Sequence, residues 1–143
     1  MNYADTGFLV SLYLPETTTL IAVNEISRIK QPLALTPLLR LELRNALNFA
    51  VSRQRLTLSD RDSLWKQIEA QVQQGLFVDI LPSTSQTYSK AWELSDRYTP
   101  SLATRSLDLL HVATAITISA RIFYSFDERQ RRAASAEGLS VKP

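Results

Sequence analysis

The chain has no cysteine and a single histidine, His111. A disulfide framework, a zinc ribbon and a thiol nucleophile are excluded together, and multi-histidine metal sites go with them. A catalytic metal ion would therefore rest on oxygen ligands, which favours magnesium or manganese over zinc or copper. Only three glycines and six prolines occur, with no low-complexity tract, internal repeat or linker. One domain over residues 1–143 is the reading. Long apolar runs are missing too. The longest uncharged stretch, Leu109–Ala120, has twelve residues and is too short for a bilayer. Met1 leads directly into a strand-like segment, without a basic lead-in or a small-residue cleavage site. A cytoplasmic protein with no membrane association is expected. GxSxG, a Walker lysine loop and GxGxxG are all absent, so hydrolase-triad, NTPase and dinucleotide readings lack their motifs.

What is present is ordinary for a globular protein: 45% apolar and 21% charged residues. The net charge of +2 permits contact with nucleic acid without demanding it. Strand-like segments at Asn2–Asp5, Leu33–Leu35, Phe77–Leu81, Ile122–Ser125 and Leu139–Val141 are short and largely apolar. Between them lie helical patterns at Phe8–Leu14, Glu16–Arg28, Pro37 to about Gln54, Ser59 to near Gly75, Thr84–Tyr98, Ser106–Ala120 and Asp127–Glu137. Thr36-Pro37 supplies a hydroxyl cap and a first-turn proline, and Ser59-x-x-Asp62 opens the next helix. Pro82 stops the third strand. Apolar strands alternating with helices indicate a short, mostly parallel sheet covered on both faces. The expected fold is a three-layer α/β/α sandwich.

Fourteen acidic residues are present, and most fall in polar helical stretches where charge is cheap, Glu137 among them. Four do not. Asp5 ends the first strand, where an N-cap role is equally open to it. Glu42 lies in an apolar stripe with Leu38, Leu39, Ala46 and Phe49. A carboxylate there is costly unless something pairs with it, and an arginine from elsewhere is one possible partner. Asp108 is the only charge in Ser106–Ala120. It suits the first turn of a helix, and with Val112 and Ala115 on its face a dry setting is expected. Asp127 follows the fourth strand, where Ser125 and Glu128 fit a capping box or Asp127 caps the helix itself. Asp79 is a rival, read as a polar position on a strand near the sheet edge. Ligands of open parallel sheets bind beyond the carboxyl ends of the strands, and Asp5, Glu42, Asp108 and Asp127 can converge there. Crowded carboxylates either take up protons or share a cation. Divalent ions on such a rim can drive phosphodiester hydrolysis without a histidine base or serine nucleophile.

The segments that carry these acids resemble the PIN-domain family. Asp5-Thr6 after a leading strand, Leu41-Glu42-Leu43-Arg44-Asn45-Ala46-Leu47, Leu107–Ala115 with Asp108, and Tyr124-Ser125-Phe126-Asp127 follow the family's order and spacing over nearly the whole chain. Gly7 departs from it, since the family often places serine or threonine there. The resemblance implies a Mg2+- or Mn2+-dependent ribonuclease and, at this length, a VapC-like toxin of a toxin–antitoxin pair. It implies Asp5, Glu42, Asp108 and Asp127 as metal ligands, directly or through water, with Thr6 and Ser125 in supporting hydrogen bonds. It also implies a homodimer and a small antitoxin partner.

Arg129, Arg131 and Arg132 form either a solvated helix face or phosphate contacts beside the metal. His111 reads as a hydrogen-bonded core residue rather than a catalyst. Trp65 and Trp92 suit core or dimer packing. A receiver-type phosphoacceptor would need paired acids after the first strand and a better-placed late lysine than Lys142. A haloacid-type phosphatase would need an acid where Gly7 stands. The competing reading is a PIN-like module that binds RNA or protein without cutting.

Overall fold

The structure, a computed structural model, describes residues 1–143. Five strands, β1 (Tyr3–Ala4), β2 (Leu33–Leu35), β3 (Phe77–Asp79), β4 (Ile122–Tyr124) and β5 (Ser140–Lys142), alternate with helices α1 (Thr6–Tyr13), α2 (Thr19–Ile26), α3 (Pro37–Ser52), α4 (Leu58–Gln73), α5 (Thr84–Leu102), α6 (Ser106–Thr117) and α7 (Glu128–Ala136). Every strand pairing is parallel. A bridge at Asn2 and Leu33 joins β1 to β2, which gives the spatial order β3-β2-β1-β4-β5.

That order dictates the layers. From β1 the chain steps to β2 and then β3, so right-handed crossovers put α1–α4 on one face. It then returns past β1 to β4 and β5, which puts α5–α7 on the other. The observed neighbours agree, with α1 against α2 and α3, and α6 against α5 and α7. The sandwich expected from the alternating pattern is the one found. Parallel strands covered on both sides must be apolar on both sides, and Tyr3, Leu33, Leu35, Phe77 and Phe123 are fully buried. The direction of travel reverses between β1 and β4, and that switch point is where such a sheet opens a crevice.

Several element ends differ from expectation for identifiable reasons. Helix α4 is capped by Thr57, not Ser59, because Thr57 and Asp60 exchange capping-box hydrogen bonds. Asp62 instead pairs with Arg44 and Arg61. Helix α5 runs through Pro100 to Leu102 and stops where Ala103 turns left-handed at φ 52°. The proline sits in the last turn, where the helix ends within a few residues. Tyr98 anchors that turn by donating to Glu137 at 2.8 Å.

Glu137 is no free surface charge. Its side chain is 9% exposed and meets Lys90 at 3.0 Å, with Arg97 on its other oxygen. Burial opposes its charge, but Lys90, Tyr98 and Arg97 outweigh this and hold the carboxyl below the usual glutamate range. Asp79 occupies the last position of β3, not the middle of a longer strand. Arg40 grips it with two hydrogen bonds, 2.9 and 3.0 Å, and also reaches Glu69 at 2.6 Å. A strand-end acid so neutralised has no charge to spare for a ligand.

Candidate active site

Asp5 follows β1 directly, and its backbone N–H still pairs with Tyr124 of β4 at 2.9 Å. Its side chain caps α1, with Oδ1 accepting from the Phe8 N–H at 2.7 Å. Oδ2 accepts from the Ser125 hydroxyl at 2.5 Å. Ser125, one residue past β4, also accepts from the Asp127 N–H at 3.0 Å. Asp127 is itself the cap of α7, with Oδ1 taking the N–H groups of Arg129 and Gln130 at 2.9 and 3.0 Å. The capping box between Ser125 and Glu128 does not form. Ser125 instead joins the two strand-end acids across the switch point.

Glu42 comes in from α3, on the opposite layer from α6. Its Oε2 accepts from Thr6 Oγ1 at 2.7 Å and meets His111 Nε2 at 2.9 Å. No arginine holds it. An ionised carboxylate only accepts, so His111 carries a proton on Nε2. In the neutral ring Nδ1 then accepts from the Tyr3 hydroxyl at 2.8 Å. Burial drives the Tyr3 phenol far above its ordinary range, so it stays a donor. His111 is 3% exposed. It is the core residue that composition suggests, and it also orients Glu42, which the sequence reading did not foresee.

Asp108 stands in the first turn of α6. Oδ2 accepts from the Arg105 N–H at 3.1 Å, and Oδ1 from Gln130 Nε2 at 3.2 Å. It is half-buried on the wall of a cleft, not in the dry setting expected. That cleft, of about 320 Å3, is lined by Thr6, Gly7, Glu42, Arg105, Asp108, His111 and Gln130, among others. Neither Asp5, which is 2% exposed, nor Asp127 is part of its lining. A Cβ on Gly7 would stand 3.6 Å from Asp5 Oδ1, an ordinary van der Waals contact, so the departure from serine or threonine there is not forced by space. Another surface depression, about 370 Å3 among Glu25, Arg28, Lys30, Arg121 and Lys142, gathers none of the four acids.

The charge states of these acids diverge. Burial raises the Asp5 carboxyl above the usual range, and Asp127 adds to this, while hydrogen bonds from Ser125 and Phe8 oppose it. Burial also works against Glu42, but His111 and Thr6 win and keep it low. Asp127 is low as well: burial is outweighed by the Gln130 N–H and by Arg129. Glu42 and Asp127 are thus held toward their charged forms, while burial works against the charge on Asp5. A cation relieves that imbalance, and carboxylate oxygens are the donors Mg2+ and Mn2+ prefer. No three His, Asp or Glu side chains stand close enough to grip one ion directly. An ion bound there would have to keep part of its water shell, as Mg2+ does.

The basic residues divide. Arg129 lies beside Asp127 at 3.4 Å. Arg131 is tied to the carbonyls of Ser125 and Pro143 at 3.0 and 2.9 Å. With Arg132 it borders a separate depression. Arg105, unremarked in the sequence, lines the cleft itself.

The sequence model of the PIN domain matches residues 3–136. The chain belongs to the PIN domain family. This PIN domain also superposes on solved structures. One is VapC20 of Mycobacterium tuberculosis, described as a sarcin–ricin loop cleaving toxin, with TM-score 0.70 and 16% identity over 100% of both chains. Another is FitAcB from Neisseria gonorrhoeae, with TM-score 0.68 and 15% identity over 100% of this chain and 97% of that one. At such identity the likeness is one of fold. No curated protein matches the sequence. No helix of this PIN domain is long and apolar enough to cross a membrane.

Proposed function

We propose that this PIN domain is a Mg2+- or Mn2+-dependent endoribonuclease, the toxin of a toxin–antitoxin pair. The observation that supports the reading is the chain of hydrogen bonds that links Asp5 through Ser125 to Asp127, and Asp127 through Gln130 to Asp108, with Glu42 tied to Thr6 next to Asp5. A divalent ion bound there would activate water and offset charge on the phosphate. Asp5, Glu42, Asp108 and Asp127 would hold it, in part through its waters. Thr6 and His111 fix the Glu42 carboxylate, and Ser125 fixes Asp5 against Asp127. Arg105 on the cleft wall and Arg129 beside Asp127 would hold an RNA backbone without base readout. Arg131 and Arg132, facing elsewhere, would contribute at most to the flank of such a path.

The partners proposed are RNA, a small antitoxin and a second copy of the chain. Support for the last comes from α5, where Tyr88 and Trp92 are exposed one turn apart, with exposed Leu81 preceding the helix. Apolar surface of this kind on a soluble domain marks contact sites.

The test uses a sarcin–ricin stem-loop and other structured RNAs, because the fold neighbour VapC20 is described as cutting that loop. Cleavage should appear with Mg2+ or Mn2+ and vanish with a chelator. Cleavage that persists in chelator would overturn the metal dependence. Tight RNA binding without cleavage would leave a binding module in its place.

A further inference from the structure

The depression of about 370 Å3 between α2 and strands β4 and β5 is the opposite of the acid-lined cleft in charge. Arg28 and Lys30 follow α2, Arg121 precedes β4 and Lys142 ends β5; all four line it, with Glu25 as the only acid. Lys142 meets Glu25 at 3.4 Å. Arg28, Lys30 and Arg121 are exposed and pair with no carboxylate. The chain carries 16 Lys and Arg against 14 Asp and Glu. Setting aside the charged residues of this depression leaves 12 against 13. The positive excess of the whole chain is therefore gathered here, and three unpaired cations around one hollow favour an anionic occupant.

We infer that this groove holds the sugar–phosphate backbone of RNA through Arg28, Lys30 and Arg121, outside the cleft where cutting is proposed. The inference rests on RNA being the substrate, and not on the cation. A protein partner would want apolar anchors in an interface core poor in charge. Here Ile29, Ile122 and Tyr124 are the only apolar walls, and Tyr124 is 2% exposed. A phosphate backbone needs only cations along its path. That path leads toward the acids. From Arg121 to Tyr124 the chain advances roughly 10 Å. The next residue is Ser125, whose hydroxyl binds Asp5 and whose N–H donates to the Lys142 carbonyl at 3.0 Å. Contacts of this kind strengthen the binding of every RNA alike and make it salt-dependent.

Fluorescence anisotropy of a labelled RNA stem-loop on the full-length protein, in chelator so that nothing is cut, tests this. Arg28→Gln, Lys30→Gln and Arg121→Gln combined should weaken binding about a hundredfold at ~0.1 M salt. The slope of log Kd against log salt should flatten by about two to three. Lys30→Gln alone should cost about fivefold, which keeps the test open should the triple variant be unstable. A control combining Arg53→Gln, Arg55→Gln and Lys66→Gln removes equal charge at exposed positions that line neither the groove nor the cleft. It should cost about threefold or less. Equal losses in the two triple variants would mean that net charge attracts RNA, and would overturn the assignment. Wild-type affinity in the first triple variant would overturn it too, while leaving the nuclease intact if the wild type cuts RNA with Mg2+. RNA held through the groove but never cut would remove the nuclease and keep the groove. Polyglutamate that binds the wild type more tightly than RNA of equal charge would give the groove to an acidic protein and overturn the RNA assignment. A wild type that binds no RNA would overturn both readings.

Discussion

An Asp5→Asn protein should fold normally and cleave RNA at about a thousandth of the wild-type rate or less. Asparagine can still accept from the Phe8 N–H and cap α1, so the helix start survives. What is lost is the one carboxylate in the chain that is buried beside the cleft, and with it the charge proposed to hold the ion. Removing a charged group that holds a catalytic ion forfeits several kcal/mol of transition-state stabilisation, and each ~1.4 kcal/mol is a factor of ten. Cleavage rates at saturating Mg2+, beside urea denaturation of both proteins, separate chemistry from folding. A rate within a few-fold of wild type would make Asp5 a cap and nothing more.

The second large effect is in cells. Induced expression of the wild-type chain without its partner should arrest bacterial growth, and Asp108→Asn at equal abundance should not. Asparagine retains an acceptor for the Arg105 N–H, so the start of α6 is kept. The carboxylate facing the cleft is gone. Growth curves with immunoblots of both proteins provide the comparison. Equal arrest by the two would remove the toxin assignment, and no arrest by either would leave a nuclease of another role.

Asp5 and Asp127 were legible because a polar residue directly after a short apolar strand has few places to go. Glu42 was legible because a charge in an apolar stripe demands a partner. Its partner was not, since His111 reaches it from the other helical layer and no local pattern relates α3 to α6. Of the two readings open at Ser125 and Asp127, the local capping box gives way to the Asp127 cap, while the Ser125 bond to Asp5 spans 120 residues and no local motif reveals it. Gln130 gave no signal at all. It sits in a polar helix and becomes buried only because α7 packs on α6. Asp79 shows the converse, a strand-end acid resembling Asp5 until Arg40 closes on it. Fold class follows from strand length, apolarity and the alternation with helices, all visible in one dimension. Which side chains meet at the crevice depends on strand order, which is not.

Crystals soaked in Mn2+ and measured at the manganese absorption edge address the main point head-on. An anomalous peak in the cleft, within coordination or one-water reach of Asp5, Asp108 and Asp127, is the result predicted here. A fully occupied ion elsewhere on the surface, with that cleft empty at millimolar Mn2+, would mean these acids serve the fold and not a metal.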